Sequence, residues 1–177
     1  MLNIRSVDYT GRQLPMVQLP GLDFIEQTCW HEFLNSSIQL FAALDVRFKE
    51  MHGITLADIR LLDLLATSDR GLYRKSELSR ALMLTPNRVA QLIRHLKPQR
   101  LVTQSITPYD RRGVFVSITV AGRARLEAAR ETFAEEVRTH WLDRMSRQQM
   151  MALTDIHRRI TTQLQIDTES ATLEDLI

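Results

Sequence analysis

The stretch Thr85-Pro86-Asn87-Arg88-Val89-Ala90-Gln91-Leu92-Ile93-Arg94-His95-Leu96, closed by Pro98, constrains this chain more than any other. The Thr85 hydroxyl can accept an orphan backbone N–H at a helix start. Pro86 falls at the first helical position, where its missing N–H costs nothing. Val89, Leu92, Ile93 and Leu96 repeat at i, i+3, i+4, i+7, so one apolar face runs the length of a helix that must stop near Pro98. Its outward residues, Asn87, Arg88, Gln91, Arg94 and His95, can all donate hydrogen bonds, and none is acidic. The period then changes. Residues 101–106 (LVTQSI) and 114–120 (VFVSITV) read as two strands rich in β-branched residues. The link between them, Thr107-Pro108-Tyr109-Asp110-Arg111-Arg112-Gly113, has turn chemistry, which predicts a hairpin with a charged tip.

Upstream the chain is helical. Asp23 with Glu26 makes a capping box, and Gly53 supplies a stop. Between them Ile25, Cys29, Phe33, Leu40, Phe41, Leu44, Phe48 and Met51 trace one apolar stripe over about seven turns. A lone small core seldom needs a helix this long, so a partner surface is expected. Thr55 with Asp58 opens a second helix, with Ile59, Leu62, Leu65 and Ala66 inward. A polar loop, 68–71, leads to a short helix from about Lys75 to Met83 with Leu78, Ala81 and Leu82 buried. Beyond Gly122 the helical period returns through Leu126, Phe133, Val137, Trp141 and Met145. Ser146 and Gln149 then cap a last helix bearing Met150, Leu153, Ile156, Ile160 and Leu164.

Charge is segregated along the chain. Between Arg70 and Arg125 stand twelve Lys or Arg against only Glu77 and Asp110, while the whole chain carries +2, so the remainder is net negative. A basic segment that also holds a polar-faced helix and a charged hairpin tip suits a phosphate backbone. A helix fits the major groove of B-DNA, and an arginine on a hairpin tip can reach the adjacent minor groove.

Helix, short helix, turn, helix, hairpin is the order of a winged helix-turn-helix. The run Asp110-Arg111-Arg112-Gly113-Val114-Phe115-Val116-Ser117-Ile118-Thr119-Val120-Ala121-Gly122-Arg123 resembles the wing signature of the MarR family of dimeric regulators, through Asp110, Arg112, Val116, Ile118, Thr119 and Gly122. One position departs from it. Where the family carries a glycine before the first wing strand, this chain has Arg100.

The resemblance implies a mostly α fold: a winged helix-turn-helix with a small antiparallel β wing and N- and C-terminal dimerisation helices. The expected organisation is an arm at 1–20, helical dimerisation regions at 21–54 and 121–166, the winged helix-turn-helix at 55–120 and an acidic tail at 167–177. Double-stranded DNA is the implied partner, met by Pro86, Asn87, Arg88, Gln91, Arg94 and His95 of the recognition helix. Asp110, Arg111 and Arg112 would act from the wing, and Lys75 and Ser76 on phosphates. The resemblance further implies a repressor, a homodimer and a small aromatic or phenolic effector.

Other functions find less support. There is no glycine-rich phosphate loop, nucleophile elbow or carboxylate pair on a strand end, so no enzyme is expected. The five histidines lack paired ligand spacing, so neither a metal nor another cofactor is expected. Cys29 is the single cysteine. Redox sensing through it is an alternative, but its place on the apolar stripe favours a small hydrophobe. A non-specific architectural DNA protein is a further alternative. Trp30 and Trp141 read as core or dimer packing rather than ligand stackers. No apolar run approaches the roughly 18 residues of a membrane span, and the first 20 residues have no signal-like apolar core. A cytoplasmic protein with no membrane partner is expected.

Overall fold

A computed structural model describes the backbone of residues 18–68, 71–107 and 110–174, and their side chains except those of 107, 110–112 and 166–174. In chain order the elements are α1 (Phe24–His52), α2 (Leu56–Ala66), β1 (Tyr73–Arg74), α3 (Lys75–Leu82), α4 (Pro86–Leu96), β2 (Val102–Thr107), β3 (Asp110–Ile118), α5 (Val120–His140) and α6 (Arg147–Glu174). The chain divides into two compact units that part within α5, after Ala134.

In the first unit the expected helix starts form as read. Asp23 accepts the Glu26 N–H at 2.9 Å while Glu26 accepts the Asp23 N–H at 2.8 Å. Thr55 and Asp58 do the same for α2. Gly53 ends α1 in the left-handed region at φ +66°, a conformation that costs glycine little. Leu44 and Phe48 of α1 join Leu62, Leu65, Leu92 and Leu96 in the core, and Phe48 meets Phe133 edge-on at 5.4 Å.

Leu40 is partly buried against that core, but most of the α1 stripe is uncovered. Ile25, Phe33, Phe41 and Met51 are exposed, and so is Cys29, which the stripe had suggested would be buried. A 29-residue helix is roughly 43 Å long at about 1.5 Å per residue, longer than the core beneath it. Ala81 is likewise exposed, whereas Leu78 and Leu82 of α3 are buried.

Two tight turns position α4. Met83 takes φ +54°, with Leu84 N–H bonded to the Ser79 carbonyl and Met83 N–H to Arg80. This is a Schellman closure of α3, and Thr85 then caps α4 by accepting the Arg88 N–H. The far end of α4 repeats the device. Arg100 sits at φ +58°, Leu101 N–H bonds the Leu96 carbonyl and Arg100 N–H bonds Lys97. Arg100 thus adopts the conformation a glycine would supply, and the left-handed cap survives the departure from the family pattern.

The sheet has the order β1-β3-β2, all antiparallel. The two-residue β1, pairing Tyr73 with Val116 and Arg74 with Phe115, is too short to leave a period in the sequence. The second wing strand begins at Asp110, not 114, and ends at Ile118. Its register passes from Ile106↔Val114 directly to Thr107↔Asp110, so Arg111, Arg112 and Gly113 form a bulge on β3. Val120, expected in the strand, opens α5 instead, because Thr119 caps that helix by accepting the Gly122 N–H at 2.9 Å.

In the second unit Ser146 and Gln149 form the predicted reciprocal cap. Then α6 runs to Glu174, through most of the stretch read as a tail. Met151, Ile156, Ile160 and Leu164 make an exposed apolar row on it. Trp141, at the end of α5, is part-exposed. No helix among the described residues is long and apolar enough to cross a membrane.

Candidate nucleic-acid interface

The face of α4 opposite its buried Val89, Leu92, Ile93 and Leu96 carries Asn87, Arg88, Gln91 and Arg94, all exposed, with Pro86 exposed at its first turn. Arg88 Nη1 donates to Gln91 Oε1 at 3.1 Å. Arginine and glutamine are each side chains that can match the hydrogen-bonding edge of a base. No carboxylate of α4 competes for them, since the helix contains none.

Lys75 and Ser76 stand in the first turn of α3, half-buried and exposed respectively. With Arg74, Ser79 and the backbone of Gly113 on β3 they line a cleft of about 590 Å³ between α3, the start of α4 and the wing. The Ser79 Oγ is buried there without a partner among the described atoms. Arg74 is brought to the wing by β1, which has no sequence signal, and Ser79 joins the cleft from α3. The side chains of Asp110, Arg111 and Arg112 lie outside the described residues. Their backbone places Arg111 and Arg112 in the bulge of β3.

His95 is turned differently from its neighbours. Its Nδ1 lies 2.9 Å from Oδ2 of Asp58, a residue of α2 with no exposed surface. The same oxygen accepts from the Thr55 N–H and hydroxyl, each at 2.8 Å. The Gln99 amide approaches His95 Nε2 at 3.2 Å and the Gly53 carbonyl at 3.4 Å. With its proton on Nδ1, the ring donates to Asp58 and accepts from Gln99. The capping box made Asp58 visible in the sequence, but its tie to His95 spans 37 residues, beyond any local pattern.

Part of the basic segment is structural. Arg123 donates to the Ala66 carbonyl at 3.2 Å, at the end of α2, and Arg125 donates to the His52 carbonyl at the end of α1. Cations there satisfy orphan carbonyls and oppose the negative end of the helix dipole. Arg130, outside that segment, holds Asp63 at 2.6 Å, and this bond raises its pKa above the usual arginine value.

The arrangement defines a winged helix-turn-helix protein. No family model and no curated protein sequence matches the chain, but solved structures do. AbsC, a MarR family transcriptional regulator from Streptomyces coelicolor, is 24% identical with a TM-score of 0.74, over 83% of this chain and 99% of that one. Sco3205, a MarR family regulator of the same organism solved in complex with DNA, is 26% identical with a TM-score of 0.74, over 81% and 93%. BpsR of Bordetella bronchiseptica is 21% identical with a TM-score of 0.65, over 76% and 98%. The chain has the winged helix-turn-helix fold of the MarR family.

Proposed function

We propose that this protein is a sequence-specific DNA-binding transcriptional regulator, a repressor that meets a pseudo-palindromic site as a homodimer. The observation that carries the reading is the exposed face of α4. Asn87, Arg88, Gln91 and Arg94 project from a helix whose opposite face is locked in the core, and the wing strand β3 includes Arg111 and Arg112 in its sequence. The similarity to Sco3205, whose structure contains DNA, supports it. Lys75 and Ser76 take phosphates, as the N-terminus of α3 favours anions. The uncovered apolar rows of α1 and α6 supply the dimer contacts. A two-fold dimer then sets two copies of α4 about one helical turn apart on the duplex.

Selection of duplexes by the purified protein, followed by footprinting, tests the reading. Protection of one palindrome over random sequence supports it. Equal protection of every duplex points to an architectural DNA protein instead. A small aromatic or phenolic effector belongs to the same proposal. The BpsR structure concerns regulation of that protein's DNA binding by 6-hydroxynicotinic acid. A screen of aromatic acids for release of the selected duplex checks whether this protein responds in kind.

A further inference from the structure

The apolar face of α4 holds the helix to the core, but hydrophobic contact is non-directional. It resists separation better than a small rotation or slide. A directional restraint on α4 is therefore informative, and the structure shows one at His95. One turn beyond Gln91, His95 bonds a carboxylate that is fully buried and already fixed by the Thr55 cap. Gln99, one further turn on, reaches the carbonyl of Gly53 where α1 ends. The result is a polar latch joining α4 to both α1 and α2. Arg88 and Gln91 share with Asp58 and His95 the walls of a crevice of about 350 Å³. A shift of α4 there moves the residues proposed to read bases.

We infer that His95 is a positioning residue for DNA reading: through Asp58 it fixes the pose in which Arg88 and Gln91 face base edges. This rests on the proposed DNA-binding function. Asp58 has no exposed surface, so any effect it has on DNA binding must pass through the protein.

The test is a double-mutant cycle read by fluorescence anisotropy, on a duplex recovered by selection and on a random duplex of equal length. His95→Ala and Asp58→Asn should each weaken the selected duplex about 10-fold and the random one less than about 2-fold. The double variant should lose no more than the larger single loss. His95→Gln, whose amide can donate to Asp58, should recover most of the loss. Additive losses of about 100-fold in the double variant would show that His95 touches DNA itself and overturn the inference. Equal losses on both duplexes would do the same. Should Asp58→Asn fail to fold in a melting experiment, His95→Gln against His95→Ala decides: recovery supports the latch, and glutamine as weak as alanine refutes it. A wild-type protein that does not prefer the selected duplex defeats the DNA-reading proposal instead.

Discussion

The carbonyl of Arg100 accepts a hydrogen bond from the Thr119 hydroxyl at 2.7 Å, tying the end of α4 to the start of α5. Thr119 also donates its N–H to the Leu101 carbonyl at 3.1 Å and caps α5. One threonine therefore joins α4, the wing and α5. Arg100 must hold a left-handed conformation for its carbonyl to point there.

That conformation gives the first prediction. A side chain at positive φ costs about 1–2 kcal/mol, and glycine returns part of the gain through its freer unfolded chain. Arg100→Gly should leave stability unchanged or raise it by up to about 1 kcal/mol. Arg100→Val, β-branched, should lower it by about 1–3 kcal/mol. Urea denaturation should rank the midpoints glycine, arginine, valine. A valine variant as stable as wild type would show that the cap is not under strain.

Gly122 is constrained by space rather than by dihedral angle. A Cβ there would overlap the Leu101 carbonyl oxygen and come within 2.8 Å of Ile118 Cγ1. The backbone oxygen cannot rotate away, and it is engaged by Thr119. Gly122→Ala should cost about 1–3 kcal/mol through overpacking, seen as a lower urea midpoint with an unchanged slope.

His52 makes stability depend on pH. Burial first, then Arg125 and Arg47, lower its pKa below the ordinary 6.5, and its Nε2 pairs with the Thr132 hydroxyl at 2.8 Å. The unfolded chain therefore takes up a proton at a higher pH than the folded one. The His52 contribution is complete above 6.5 and is lost as pH falls from there through the folded value. Melting temperature should drop between pH 7 and pH 5, and His52→Gln should flatten that drop. An identical profile in the variant would assign the pH dependence to other groups.

Much of this was legible locally. The caps at Asp23, Thr55, Thr85 and Ser146 each place their partner three residues away, and the apolar period of α4 lies within one window. Three features were not legible, for distinct reasons. The two residues of β1 are too few to show alternation. The start of β3 at Asp110 depends on a bulge, which turn-like residues conceal. The tie between His95 and Asp58 joins two helices far apart in sequence. The length of α1 already points to apolar surface beyond the core, such as Phe33; what the stripe does not foretell is that Cys29 is exposed with it.

That uncovered row predicts assembly. Phe33 and Ile38 of α1 are exposed at 50% and 58% in the single chain, and on α6 Ile160 is exposed at 52%; exposed apolar surface on each helix marks an interface. Sedimentation at micromolar concentration should give about twice 20.5 kDa. Phe33→Glu or Ile160→Glu should shift the equilibrium toward monomer by burying an unpaired charge. A wild-type monomer at that concentration would remove the basis for two half-sites.

The last prediction separates the wing from the recognition helix. By its backbone Arg112 sits in the bulge of β3, and the minor groove it is proposed to enter barely distinguishes sequences by hydrogen bonding. Arg112→Ala should therefore weaken selected and random duplexes alike. If a phosphate-type contact is lost, the slope of log affinity against log salt should fall by about one. Arg88 and Gln91 act on base edges in this reading. Alanine at either should cost about 1–3 kcal/mol on the selected duplex and much less on random DNA. Arg88 and Gln91 are exposed, so melting temperatures should hardly move in their alanine variants. Titrations at two salt concentrations with both duplexes resolve these effects. Suppose that Arg112→Ala bound normally but melted well below wild type. Arg112 would then be a structural partner within the wing, and the DNA contact would have to be sought among Arg111 and its neighbours.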